Sequence, residues 1–420
     1  MEVTPPPAGR KLNNWIDSYL LYTENNEPTL LYREWMAVSA MCSAMGRKCW
    51  LPWEKYIFPN MYILLIGPPA ARKGTAMHPA KSILRANNIP LCAEAITREA
   101  FFEDMEAATV SLKDMPPEYT CELSSTFTVF SEEFTSFIGY DRGEFLANLC
   151  DLWDCPDQWT YRTKGRGVNR MRGACLNLVA ATTPELLCKN LPAEAIGGGF
   201  TSRSIMVYAD KKDRTISDPR YTAGDRILFN LLCEDLNYIS DLRGPFSFSQ
   251  EWFDAYDSFY QGQEKNPPIQ DYRFEHYIGR RQTHLQKLCM AFSMSRSDRR
   301  KLELDDFHRA EDLLTRTEEL MPYAFASHGR VATSAVRPRL ADFIKRLGTI
   351  NVNQLHAAFL NELTWEELEE TLRGFKGAGW ISEVMEGTQK MIKWNGRKSP
   401  GRPRKELQPM GGKPLQPPPG

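Results

Sequence analysis

Residues 61–75 read MYILLIGPPAARKGT, and the fold turns on this stretch. Met61–Ile66 is a continuous apolar run, ended by Gly67-Pro68-Pro69. A short run that is apolar at every position predicts a strand buried on both faces, as in a parallel sheet. A helix is expected from about Lys73, kinked or shortened by Pro79. The loop between them spaces Gly67 and Lys73 as in G-x-x-x-x-G-K-[ST], where helix-start amides and a lysine converge on phosphate oxygens. The candidate nucleotide-binding residues are therefore Gly67, Pro68, Pro69, Ala70, Ala71, Arg72, Gly74 and Thr75, with Lys73 as the phosphate-facing cation. Two positions depart from the pattern. Arg72 stands where a second glycine is usual, and Gly74 where the Mg²⁺-ligating hydroxyl is usual, with Thr75 one residue on. The competing reading is a chance Gly/Pro turn beside a lysine.

Outward from this loop the pattern stays α/β. Residues 89–96 read as a second strand, with Thr97 capping a following helix. Residues 126–130 (TFTVF) form a strand that ends at Glu132-Glu133. Paired acids there suit an ATPase: Glu132 to hold Mg²⁺ through water and Glu133 to polarise the attacking water. Residues 175–181 (CLNLVAA) form a strand ending in hydroxyls, and Thr182 is the candidate polar sensor between the acids and the γ-phosphate. A Gly-rich loop at 197–202 leads to Arg203, which suits an arginine finger reaching a neighbouring subunit. Arg280, His284 and Lys287 share one face of a later helix, with Arg280 a candidate second contact to nucleotide. For each of these the plainer alternative is a solvated strand end or a surface charge.

The 420 residues carry 52 Lys+Arg and 53 Asp+Glu, so net charge decides nothing about nucleic acid. Local charge does. Trp159–Arg172 (WTYRTKGRGVNRMR) contains Arg162, Lys164, Arg166, Arg170 and Arg172 and no acid. Gly165 and Gly167 predict a hairpin tip, and Trp159 and Tyr161 are candidates for base stacking. Residues 398–405 (KSPGRPRK) resemble an AT-hook, with Arg402 and Arg404 as minor-groove contacts. Residues 337–394 read helix, helix, helix, hairpin, the order of a winged helix, with Thr364 and Glu367 as a capping box. The third helix is acidic at Glu366, Glu367, Glu369 and Glu370. It repels DNA, so the module binds either a replication-protein partner or DNA through its wing. Ten cysteines without a CxxC pair read as reduced thiols. No membrane span and no signal peptide are visible, which predicts a cytoplasmic protein.

The segments WMAVSAMCSAMGRKCW, NMYILLIGPPAARKGTAM, FSEEFTSFIG, LVAATTPELL and GGGFTSRSIMVY come in an order that resembles the primase-helicase-like P-loop ATPases of phages and mobile elements. That resemblance covers about residues 11–300. It implies a RecA- or AAA+-like P-loop NTPase core that hydrolyses ATP with Mg²⁺ and works as a ring, expected to be a hexamer, on single-stranded DNA in a bacterial host. It implies Lys73 on the β- and γ-phosphates, Glu132 and Glu133 at Mg²⁺ and water, and Arg203 as finger. The expected organisation is a helical lead over 1–55, the α/β core over 56–223, a helical subdomain over 224–330, a winged helix over 331–394 and a basic tail over 395–420. The leading reading is a DNA helicase or helicase-like ATPase. The alternatives are a helicase loader or initiator that does not unwind, and a DNA-binding adaptor with a degenerate nucleotide pocket. The RKGT ending also resembles nucleoside-monophosphate kinases, whose P-loop usually opens the chain.

Overall fold

The computed structural model describes residues 6–112, 115, 119, 121–139, 142–163, 167–191, 195, 198–269, 271–325, 340–359, 363–386 and 389–395. The chain divides into two compact units, 1–328 and 329–420. The segments expected at 1–55 and 56–223, and that expected at 224–330 up to residue 328, thus share one unit.

Two helices open it, α1 (Trp15–Tyr22) and α2 (Leu30–Met45). They divide the helical lead expected over 1–55, because Pro28 cannot join a helix interior and disfavours helical backbone before it. After a two-residue strand β1 (Cys49–Trp50) come β2 (Tyr62–Ile66), α3 (Lys73–Ala86), α4 (Arg98–Ala107), β3 (Thr109–Ser111) and β4 (Leu123–Ser131). Then follow α5 (Phe134–Ile138), α6 (Arg142–Trp153), the hairpin β5 (Gln158–Thr163) and β6 (Gly167–Arg172), β7 (Ala174–Thr182), α7 (Pro184–Asn190), α8 (Gly199–Arg203) and β8 (Ser204–Tyr208). The remainder of the unit is mainly helical: α9 (Ala223–Asp241), α10 (Gln250–Lys265), α11 (Glu275–Ile278), α12 (Arg281–Arg296) and α13 (Leu304–Glu318). Short strands β9 (Gly244–Pro245), β10 (Ser247–Phe248) and β11 (Lys301–Leu302) stitch it to its surroundings.

The central sheet has the order β3-β4-β7-β2-β8. Strands β4, β7, β2 and β8 are parallel, and β3 is an antiparallel edge. Every residue of β2 and β7 is buried, as expected of strands covered on both faces. The order is not sequential. From β2 the chain crosses past β7 to reach β4, and from β7 it crosses past β2 to reach β8. These two connections leave in opposite directions from the C-terminal ends of β2 and β7. That is where open α/β sheets place ligands.

Two local expectations are corrected. The strand expected over 89–96 shrinks to a parallel bridge between Leu91 and Thr128, since Pro90 has no amide to extend the ladder. Helix α3 runs through Pro79. The carbonyl that Pro79 leaves unbonded is that of Thr75, which is exposed to water at the helix start, so the interruption costs little there.

The second unit contains α14 (340–347), β12 (Thr349–Asn351), α15 (Val352–Ala358), α16 (Trp365–Gly377), β13 (Ile381–Glu386) and β14 (Gln389–Trp394). Its sheet order is β12-β14-β13, all antiparallel. Leu340, Ile344, Leu355, Leu368, Leu372, Ile381 and Ile392 form its core. Thr364 and Glu367 make the expected reciprocal cap of α16. Among the described residues no helix is long and apolar enough to cross a membrane.

Candidate functional site

The C-terminal edge of β2 and β7 is built by backbone first. Ile66 lies in register with Thr182 on one side and Tyr208 on the other, and the Gly67 amide donates to the Thr182 carbonyl at 3.3 Å. Gly67 has no room for a side chain. A Cβ there would lie 2.3 Å from the Ala209 carbonyl oxygen and 2.7 Å from Tyr32 Oη. The loop then coils through two left-handed non-glycine residues, Ala70 (φ 69°) and Arg72 (φ 62°), each of which costs about 1 kcal/mol or more. Arg72 is held by an ion pair from its Nε to Glu27 at 2.6 Å. Glu27 also pairs with Lys212 at 2.5 Å and accepts from the Ile216 amide. The Lys212 bond first, then that amide, hold the Glu27 carboxyl down at about 2. Glu27 is a site residue that sequence reading missed, because it lies in the N-terminal lead with no motif around it.

Lys73 begins α3 and turns back into its own loop. Its Nζ donates to the carbonyls of Gly67 at 2.7 Å and Pro68 at 3.0 Å. Burial lowers its pKa, and Glu185 at the start of α7 opposes that. An ammonium satisfied only by two neutral carbonyls is a ready donor to a stronger acceptor, and charged acceptors make the stronger bonds. Pro69 and Ala70 are exposed, Pro68 is part-buried and Ala71 is buried.

Strand β4 ends at Ser131, opposite Ala180 of β7, and delivers Glu132 and Glu133 to the same edge. Both are exposed. Glu132 comes against the first turn of α3, where a Cβ on Gly74 would sit 3.2 Å from its Oε2. Gly74 therefore gives the carboxylate room to approach. Thr75, one residue on, is exposed in the same turn. Glu133 caps α5 by backbone only, and its side chain makes no cap bond. Thr182 is buried, with Oγ1 3.4 Å from the Thr183 carbonyl. Thr183 caps α7 through Leu186 N. Lys73, Glu132, Glu133 and Thr182, taken from three separate stretches of sequence, thus converge on one sheet edge. Among the described residues no group of three His, Cys, Asp or Glu could hold a metal ion alone.

Arg203 lies elsewhere. It ends α8, so the segment before it is helix from Gly199 onward rather than the loop expected. Ser204 pairs with Tyr62, at the start of β2, whereas the Lys73 loop follows Ile66 at its end. Four strand steps, about 13 Å, separate the two edges. Arg203 bonds Asp154 at 2.9 Å and the Gly199 carbonyl at 3.1 Å, 5.6 Å above the Trp153 ring. Arg280 stands beside it, with Nε donating to Ser202 Oγ at 3.2 Å and its guanidinium 5.6 Å from the same ring. The structure therefore places Arg280 beside Arg203, at the sheet edge opposite the one the Lys73 loop leaves from. His284 and Lys287 share that face of α12 but are fully buried. Lys287 is bonded to Asn60 O and Oδ1 at 2.8 and 2.7 Å.

The hairpin β5–β6 alternates. Arg162, Arg170 and Arg172 are exposed, while Tyr161 and Met171 are buried. The Arg170 amide donates to Glu106. The rings of Trp159 and Tyr161 pack on Phe102, at 5.0 and 4.3 Å between centroids. Tyr161 is buried and Trp159 part-buried, so these rings fix the hairpin to the body and leave arginines on its outer face. Lys164, Arg166, Arg402 and Arg404 lie outside the described residues. No family model and no curated protein matches the chain.

Proposed function

We propose that the chain is an ATP-hydrolysing, ring-forming replication ATPase of helicase type, with a P-loop NTPase core, acting on DNA. One observation carries the reading. A lysine-bearing loop leaves the central parallel strand β2, and a carboxylate from β4, two strands away, lies against the first turn of the helix that the loop starts. In-line displacement at a γ-phosphate needs that combination: a cation and amides on the phosphates, an acid at the metal, and a second acid for water.

In this reading Lys73 leaves the Gly67 and Pro68 carbonyls and takes phosphate oxygens. Glu132 and Thr75 hold Mg²⁺, whose charge offsets that of the phosphates. Glu133 orients the attacking water, Thr182 contacts it or the γ-phosphate, and Arg203 faces the nucleotide of a neighbouring subunit. The outward arginines of the hairpin, inserted between the β4 and β7 strands, contact the DNA backbone. The second unit is a winged helix by the order of its elements. The exposed Glu366, Glu369 and Glu370 on α16 favour a protein partner for it.

Lys73→Ala tests the assignment. It should remove ATP hydrolysis while leaving the unfolding midpoint near that of the parent, and hydrolysis at the parent rate refutes the site. Strand displacement with ATP separates a helicase from a loader. A DNA-binding adaptor without hydrolysis is the second reading. The ion pair that ties Arg72 to Glu27 favours it, and intact DNA binding with no ATP turnover would establish it.

A further inference from the structure

A cavity of about 1060 Å³ lies apart from the phosphate loop. That is close to the upper end of the size of small-molecule sites, on the order of 300–1,000 Å³. Tyr22 at the end of α1, Ser82 on α3, and Tyr221, Arg226, Phe229 and Asn230 at the start of α9 line it. One wall is aromatic. Tyr22 stacks on Tyr221 with centroids 5.1 Å apart and planes 10° from parallel, and it meets Phe229 at 5.8 Å. Tyr221 is still 37% exposed, so the stack has an open face. The acids of the wall are committed. Asp218 closes on Arg220 through both oxygens, each bond 2.7 Å. Asp225 serves the Thr222 cap of α9. The side chains of Ser82, Arg226 and Asn230, by contrast, have no hydrogen-bond partner among the described residues. Arg226 is the guanidinium left open.

A ligand that uses this wall fully has three parts. A planar ring continues the Tyr22–Tyr221 stack, polar atoms on the ring edge meet Ser82 and Asn230, and an anionic group meets Arg226. Bases stack on aromatic side chains whatever their identity, and a guanidinium pairs with phosphate through two parallel bonds. We propose that the cavity binds a free nucleoside monophosphate, one per chain, at a site separate from the Lys73 loop. Ser82 stands nine residues beyond Lys73 on α3, about 13 Å along the helix axis. A monophosphate carries no β- or γ-phosphate to hold on the loop itself. The cavity walls continue instead into the tether of Arg72. Asn25 donates to the Asp218 carbonyl at 3.2 Å and Arg214 to the Glu24 carbonyl at 3.0 Å. Glu27 and Lys212, paired at 2.5 Å, lie on the same two segments. A monophosphate between Tyr221 and Ser82 thus braces the segments that hold the loop from behind, without touching Lys73.

Equilibrium dialysis of the full chain without Mg²⁺ tests this, with radiolabelled adenosine 5′-monophosphate and guanosine 5′-monophosphate as the probes. Saturable binding of one monophosphate per chain is expected, and equal binding by Lys73→Ala. Arg226→Ala should weaken it about 10-fold through loss of the phosphate fork, and Tyr221→Ala by a similar factor through loss of the stack. Tyr221→Phe keeps the ring and should bind like the parent. Arg226 is exposed and makes no side-chain bond among the described residues, so Arg226→Ala should keep the parent's urea midpoint. It decides the matter even if Tyr221→Ala is less stable. Absence of saturable binding of both probes at millimolar concentration overturns the proposal. Binding that survives Arg226→Ala and Tyr221→Ala unchanged also overturns it, and its loss in Lys73→Ala would then put the monophosphate on the phosphate loop. The inference does not rest on ATP hydrolysis. A Lys73→Ala chain that hydrolyses ATP at the parent rate sinks the function proposed above and leaves this site standing.

Discussion

His284 should make the chain acid-labile over a defined window. It lies on α12, fully buried, with its ring stacked on Tyr277 at 5.4 Å and edge-on to Trp153 at 5.7 Å. Its Nε2 is 3.1 Å from the Ser202 carbonyl oxygen. That oxygen only accepts, so Nε2 carries the hydrogen, and Nδ1 is left buried with no partner. Burial pushes the pKa down to about 3. The Ser202 bond works against this, and the charges of Lys287 and Arg280 add to it. An unfolded histidine titrates near 6.5. Between about pH 6.5 and 3 the unfolded chain therefore binds a proton that the folded chain refuses. Stability is fully present above pH 6.5 and falls as pH drops through the window. At about 1.4 kcal/mol per unit, the loss from His284 between pH 6.5 and 4 is about 3 kcal/mol. The assay is urea unfolding by tryptophan fluorescence at several pH values, on the parent and on His284→Gln. Glutamine does not titrate, so the variant starts less stable from lost packing but should fall less steeply by about that amount. Taking the difference cancels the carboxylates common to both chains. Parallel curves from pH 6.5 to 4 would refute the argument, and with it the claim that a neutral imidazole supports Ser202 beneath the arginine pair.

Gly67→Ala forces a methyl against the fixed Ala209 carbonyl and Tyr32 Oη, so the loop must shift. A loss of about 1–3 kcal/mol in urea titration, together with loss of nucleotide binding by calorimetry, is expected. Glu318→Ala strands the buried Arg281, now held at 2.7 Å by Nε and 2.9 Å by its terminal nitrogen. It should cost about 3–5 kcal/mol in the same titration, and an unchanged midpoint would show that the pair contributes nothing. Replacing Arg162, Arg170 and Arg172 by alanine should flatten the plot of log affinity against log salt for single-stranded DNA by about 2. A slope equal to that of the parent would remove the hairpin from the DNA contact.

The apolar runs were the legible part of the sequence. MYILLI, TFTVF and CLNLVAA became β2, β4 and β7 because a strand buried on both faces has no polar position to confuse its period. The hairpin and the α16 cap were legible for a similar reason, since turn glycines and a Thr-x-x-Glu pattern carry their own geometry. The packing of Trp159 and Tyr161 on Phe102 was not legible, because composition shows an aromatic without showing which face of a strand meets the body. The partners of Arg280 were not legible, because helical spacing gives a face but not its neighbour. Its neighbour is α8, some eighty residues away in sequence, joined to it through Ser202. The 89–96 segment lost its strand to one proline, a backbone effect that hydropathy does not register.

The two departures from the phosphate-loop pattern belong together. A serine or threonine at position 74 would bring its Cβ to 3.2 Å from the Glu132 carboxylate, closer than most real contacts. Glycine lets that carboxylate stand directly at the helix start, and Thr75, one residue on, keeps a hydroxyl in the same turn. Arginine at position 72 takes a left-handed backbone that glycine would adopt without strain. What offsets the strain is a partner that glycine could not have. Glu27 holds the guanidinium and is itself held by Lys212, just past β8. The loop is thereby tied to the segment before α2 and to the segment after β8. A ligand that draws Arg72 inward would break the loop's tie to Glu27 and leave Glu27 on Lys212 and the Ile216 amide. The N-terminal lead is in this sense part of the candidate site, although no motif in it points there.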